Sequence, residues 1–145
     1  MATTYTVDAS VFVNAFVPTE ADHEQSQRLL VLLQANSVPM VVPTLLLPEV
    51  AATIARSHGD ALLAQRFVAA LARLPNLILV PLDLPLARQA VQVAADHRLR
   101  GADAIYVAVA LRFGCILVSL DREQLNRVPA VLTTRHPSEV LADWA

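Results

Sequence analysis

Gly101-Ala-Asp-Ala-Ile-Tyr-Val-Ala-Val-Ala-Leu-Arg-Phe-Gly-Cys-Ile-Leu-Val-Ser-Leu-Asp121 is the stretch that decides the fold. Its first half, Ala104–Phe113, is apolar around the whole helical circumference and predicts a central buried helix. Its second half, Ile116–Leu120, is a short apolar run of the fully buried strand type. A helix and a strand that both lack a wet face belong in a layered domain whose sheet is covered on both sides.

Working outward, strands and helices alternate along the chain. Thr4–Val7, Met40–Val42, Leu77–Val80 and Val131–Thr133 read as further strands. Helices are expected at Val11–Phe16, His23–Gln34, Leu46–Arg56, Asp60–Leu74 and Pro85–His97, with a terminal one at Pro137–Trp144. Leu29, Leu30 and Leu33 share the buried side of one, and Leu63, Phe67, Leu71 and Leu74 form a stripe on another. Arg88, Gln92 and Asp96 give the Pro85–His97 helix a wet face. This alternation predicts one α/β domain over residues 1–145, with a mainly parallel central sheet and helices on both faces.

Composition narrows the function. A chain of 145 residues, 55% hydrophobic, buries a real core and leaves apolar surface for a partner or second subunit. The apolar stretches are broken by prolines or charges, so none reads as a membrane span. No basic region precedes a long apolar segment at the N-terminus, which argues against a signal peptide. The single cysteine, Cys115, excludes an internal disulfide framework, reads as a small buried hydrophobe and suits a reducing cytoplasm. All eleven basic residues are arginine. Without lysine there is no P-loop lysine and no Schiff base, and no GxGxxG is present. His23, His58, His97 and His136 lack any paired spacing, which argues against zinc.

Four carboxylates stand almost alone in uncharged surroundings. Asp8 is the only charged residue before Glu20, Glu49 the only one between Arg28 and Arg56, and Asp103 the only one between Arg100 and Arg112. Asp121 ends the apolar run from Cys115. Taking a carboxylate out of water is costly unless it meets a partner or a cation. Asp8 and Asp121 follow strand ends, while Glu49 and Asp103 lie early in helices, so all four belong to one edge of the sheet, where open parallel sheets bind ligands. Clustered carboxylates repel, and a hard cation such as Mg²⁺ or Mn²⁺ relieves that repulsion through oxygen ligands. A site of this kind activates water and neutralises a phosphodiester. Ser10 and Ser119 are placed to orient the carboxylates or a water. Simpler uses exist: Asp103 and Asp121 can cap helices, Asp121 with Gln124 fits a capping box, and Asp8 can close an Asx turn. Glu49, in Leu45-Leu-Leu-Pro-Glu-Val-Ala-Ala52, has no local partner. Arg98, Arg100, Arg122 and Arg127 flank Asp103 and Asp121 and suit an RNA groove, or are ordinary surface charge.

Val7-Asp-Ala-Ser10, Pro48-Glu-Val50, Gly101-Ala-Asp-Ala-Ile-Tyr-Val-Ala-Val-Ala110 and Val118-Ser-Leu-Asp-Arg-Glu123, in this order and spacing, resemble the PIN-domain nucleases, especially VapC-type toxins. The resemblance spans nearly the whole chain. It implies a Mg²⁺- or Mn²⁺-dependent endoribonuclease of a type II toxin–antitoxin pair, with a homodimeric form and an antitoxin partner. Asp8, Glu49, Asp103 and Asp121 match the family's acidic positions, and Ser10 and Ser119 its hydroxyl positions. By that likeness Asp8, Asp103 and Asp121 are the principal metal ligands, and Glu49 completes the site through a water or as proton acceptor. Serine stands at 119 where threonine is commoner, and Leu125 where an aromatic often follows the last acid. The competing expectation is a catalytically silent PIN-like module that binds RNA or a protein.

Overall fold

The computed structural model describes residues 2–128, 130 and 132–145. In chain order the elements are β1 (Tyr5–Val7), α1 (Ala9–Phe16), α2 (His23–Ala35), β2 (Met40–Pro43), α3 (Leu46–His58), α4 (Ala61–Ala72) and β3 (Leu77–Val80). They continue as α5 (Leu84–His97), α6 (Gly101–Phe113), β4 (Ile116–Val118), α7 (Arg122–Arg127), β5 (Thr134–Arg135) and α8 (Pro137–Asp143). The strands form one sheet in the order β3-β2-β1-β4-β5, and every neighbouring pair is parallel.

Side-chain alternation along the strands separates two cores. Met40, Val42 and Val118 join Phe12, Leu29, Leu33, Leu46 and Ile54 on one face. Val41 and Leu117 join Leu86, Val93, Tyr106 and Val107 on the other. The helices therefore cover both faces, as the unrelieved apolar character of α6 and β4 requires. Leu33 and Leu117 are fully buried. Truncating either to alanine costs about 2–5 kcal/mol through lost burial and the cavity left behind.

Local chemistry sets the element ends. Asp60 and Asp83 cap α4 and α5 by accepting from the amides of Leu63 (3.0 Å) and Leu86 (2.9 Å). Gly114 ends α6 at φ +66, a left-handed conformation that glycine adopts without Cβ strain, and turns the chain straight into β4.

Several boundaries differ from the sequence reading, most by one or two residues, and α7 is a helix that reading lacks. The helix expected from Ala104 starts at Gly101, so Asp103 lies inside its first turn and does not cap it. The strand expected to reach Leu120 ends at Val118, because the Leu120 amide turns to the Ser10 hydroxyl (3.3 Å). The last strand lies at Thr134–Arg135, where Thr133 still accepts from the Leu117 amide (3.0 Å); Val131, the start of the expected strand, is outside the described residues. Cys115 is buried, as expected of a small hydrophobe. Among the described residues no helix is long and apolar enough to cross a membrane.

Candidate active site

The strand order reverses direction between β1 and β4, and a crevice opens at that switch point beyond their carboxyl ends. Asp8 leaves β1, Asp121 follows the end of β4, Glu49 sits in the first turn of α3 after β2, and Asp103 in the first turn of α6. All four line a single cavity of about 370 Å³, together with Ser10, Arg100 and Tyr106. Residues as distant in sequence as Asp8 and Asp121 thus share one solvent space.

Asp8 is the buried member, 6% exposed. It caps α1 by accepting from the Ser10 amide (3.0 Å) and also accepts from the Ser10 hydroxyl. Burial pushes its carboxyl from 3.8 up to about 6, against the lowering effect of the Ser10 bonds and the nearby Ser119 hydroxyl, while the charge of Asp103 adds to the rise. No cationic side chain pairs with Asp8 among the described residues. Ser10 does double duty, since its hydroxyl also receives the Leu120 amide and so ties the exits of β1 and β4 together.

Asp103 and Asp121 are joined by Arg100. Its Nε donates to Asp103 Oδ2 at 2.9 Å and its Nη2 to Asp121 Oδ2 at 3.3 Å. Asp121 Oδ1 meanwhile caps α7 by accepting from the amides of Glu123 (3.0 Å) and Gln124 (3.1 Å). Half of the expected capping box is therefore present. Gln124 does not return to the Asp121 amide but accepts from the Ser119 hydroxyl (3.2 Å), and it is Ser119 Oγ that receives that amide (3.0 Å). Ser119 thus fixes the backbone that carries Asp121.

Glu49 finds its partner far along the chain. Tyr106 Oη donates to Glu49 Oε1 at 2.6 Å, linking residues 57 apart. Burial, and then the Glu49 bond and charge, hold the Tyr106 phenol far above its usual range, so it stays a donor. Tyr106 escaped the sequence reading, although its position three residues beyond Asp103 on one helix face was a usable signal. Glu20 carries no such signal in the sequence. It lines the same cavity, held by Asn14 Nδ2 (3.2 Å), but Asp22 and Glu24 stand close to it in sequence and it did not look isolated.

The donor set is all carboxylate, which suits a hard divalent cation. Among the described residues no three of the acids stand close enough together to form a ready ligand set. Each acid is instead engaged within the protein: Arg100 holds Asp103 and Asp121, Ser10 holds Asp8, and Tyr106 holds Glu49. Asp8, buried beside Asp103 with hydroxyl and amide donors but no cationic partner among the described residues, carries a repulsion that a bound cation would relieve. Of the flanking arginines, Arg98 and Arg127 line an adjoining cavity of about 300 Å³ with Arg100, whereas Arg122 is exposed and borders neither cavity.

A parallel α/β domain with acids gathered at the switch point of its sheet is the class defined by this fold and site. The PIN domain family model matches residues 5–131, and the chain belongs to that family. No curated protein matches it by sequence. Among solved structures, VapBC2 from Rickettsia felis, bound to a DNA fragment from its promoter, is similar at 14% identity and TM-score 0.70, covering 92% of this chain and 98% of that one. The Mycobacterium tuberculosis toxin VapC20, described as cleaving the sarcin-ricin loop, is 20% identical with TM-score 0.71, covering 85% and 94%. PAE2754 from Pyrobaculum aerophilum is 22% identical with TM-score 0.69, covering 99% and 90%. At these identities the likeness is one of fold.

Proposed function

We propose that this PIN-domain protein is a Mg²⁺- or Mn²⁺-dependent endoribonuclease that acts in the cytoplasm as the toxin of a type II toxin–antitoxin pair. The observation that carries the reading is the meeting of Asp8, Glu49, Asp103 and Asp121, from four separate elements, on one cavity at the switch point of the sheet. Similar structures include a toxin named for cleaving the sarcin-ricin loop and a toxin–antitoxin complex from Klebsiella pneumoniae, which supports the same role here.

Asp8, Asp103 and Asp121 are the residues assigned to hold the cation. When bound, it supplies charge neutralisation at the phosphodiester and lowers the pKa of a water. Ser10 orients Asp8 through its amide and hydroxyl, and Ser119 orients Asp121 through the backbone. Tyr106 fixes one oxygen of Glu49, and Glu49 Oε2 makes no hydrogen bond among the described residues. That oxygen is assigned to orient a water or to take its proton.

The reading extends to partners. Exposed Ile78, Leu82, Leu84 and Val91, on the edge strand β3 and on or beside α5, suit a second copy of the chain. An apolar groove of about 420 Å³ between α1, α2 and α4, walled by Phe12, Phe16, Leu30 and Phe67, suits an antitoxin segment.

The rival reading is a silent binding module, favoured by the engagement of the acids with Arg100 and Tyr106 in place of a ligand set. Incubating RNA with the purified protein separates the two. The nuclease reading expects cleavage with Mn²⁺, none with chelator, and none by Asp8→Asn or Asp103→Asn. Cleavage that persists with chelator or in either variant excludes the metal nuclease, and intact RNA under all conditions supports the silent module.

A further inference from the structure

Arg100 stands where a cation would be expected. Its guanidinium bridges Asp103 Oδ2 (2.9 Å) and Asp121 Oδ2 (3.3 Å), two acids carried by different elements. Its side chain is nonetheless 78% exposed, against 18% for Asp103 and 37% for Asp121. A bridge so open to water contributes little net stability and exchanges easily. Arg100 also borders the second cavity, where Asp103 and Asp121 reappear in the wall beside Arg98, Arg127 and Glu123. Arg127 is engaged there, donating to the Arg98 carbonyl (3.4 Å) and pairing with Glu123. The side chain of Arg98 makes no ion pair among the described residues.

We propose that Arg100 is an exchangeable stand-in for the divalent ion: it holds Asp103 and Asp121 while the site lacks metal and, once displaced, binds an RNA phosphate in the adjoining cavity beside Arg98. The inference rests on the metal-nuclease reading above. A guanidinium offers a single charge through hydrogen bonds, whereas Mg²⁺ or Mn²⁺ offers two at direct contact with oxygen, so the exchange favours the ion. Before the exchange, the two carboxylates repel a phosphate and occupy the arginine. Afterwards they are neutralised and the guanidinium is released to an anion. Metal and RNA therefore strengthen one another's binding, and linkage makes that effect reciprocal.

A purely structural role for Arg100, propping the acids in place, makes the opposite prediction for metal. The test is calorimetric titration of Mn²⁺ into wild type, Arg100→Gln and Arg100→Lys without RNA, followed by binding of a labelled RNA oligonucleotide in Ca²⁺, with gels to verify that it stays intact. Loss of the competitor should tighten Mn²⁺ binding by Arg100→Gln about fivefold or more, with Arg100→Lys between it and wild type. The same Gln variant should bind RNA about fivefold or more weakly in the presence of the ion. Unchanged or weaker Mn²⁺ binding by Arg100→Gln overturns the exchange, and unchanged RNA affinity overturns the transfer to phosphate. Failure of wild type itself to bind Mn²⁺ removes the metal reading along with it, and is distinguishable because it appears before any variant is compared.

Discussion

Tyr106 Oη and Glu49 Oε1 lie 2.6 Å apart and join α6 to α3 in the lining of the acidic cavity. The phenol is buried and stays protonated, so it serves as a fixed donor that decides where the Glu49 carboxylate points. Tyr106→Phe keeps the ring and removes only the donor. The expected result is a fall in RNA cleavage of about 10–100-fold, typical of losing a partner that orients a site residue. Stability should fall by only about 1–3 kcal/mol, as for one unmade hydrogen bond. Denaturant melts beside cleavage rates check both, and unchanged cleavage removes Tyr106 from the site.

Asp8 makes the metal-free protein sensitive to pH. Its carboxyl titrates near 6 when folded and near 3.8 otherwise. Between these values the folded chain keeps a proton that the unfolded chain has lost, so stability falls as pH rises through that window. By pH 7.5 the loss is complete and on the order of 3 kcal/mol. In chelator, wild type should therefore lose stability relative to Asp8→Asn between pH 4 and 7, and millimolar Mn²⁺ should restore it by mass action. Parallel pH profiles for the two proteins would show that Asp8 does not carry this cost.

Asp121 has two separable duties. Asparagine can still cap α7, whereas alanine cannot. Asp121→Asn should stay near wild-type stability in chelator, and Asp121→Ala should lose about 1 kcal/mol. Both should lose Mn²⁺-dependent stabilisation. A variant that keeps the full Mn²⁺ shift in thermal melts shows that the residue is a cap and no more.

Ser119 is fully buried and holds two partners, the Asp121 amide and Gln124 Oε1. Ser119→Ala leaves both without the hydroxyl and should cost about 1–3 kcal/mol by denaturant unfolding. Ser119→Thr retains the hydroxyl and should recover most of that loss. Equal destabilisation by the two substitutions would locate the fault in packing.

Much of the fold is legible in the chain because α6 and β4 have no wet face, and only a sheet covered on both sides accommodates them. The acids are legible for a related reason: Asp8, Glu49 and Asp103 interrupt stretches that have no other charge. What stays hidden depends on contacts between distant residues. Glu49 has no partner in its own segment until α6 brings Tyr106 to it, and Arg100 reads as a groove residue until its side chain is placed between Asp103 and Asp121. The end of β4 is set by Ser10, more than a hundred residues earlier, and strand propensity carries no trace of that bond.

In the metal-nuclease reading proposed above, one cation is held jointly by Asp8, Asp103 and Asp121. Anomalous diffraction from crystals soaked in Mn²⁺ tests this directly. The prediction is a peak between those three carboxylates with Arg100 moved off Asp103 and Asp121. Density with no peak in the cavity, or with the ion bound elsewhere while Arg100 keeps its bridge, would contradict it.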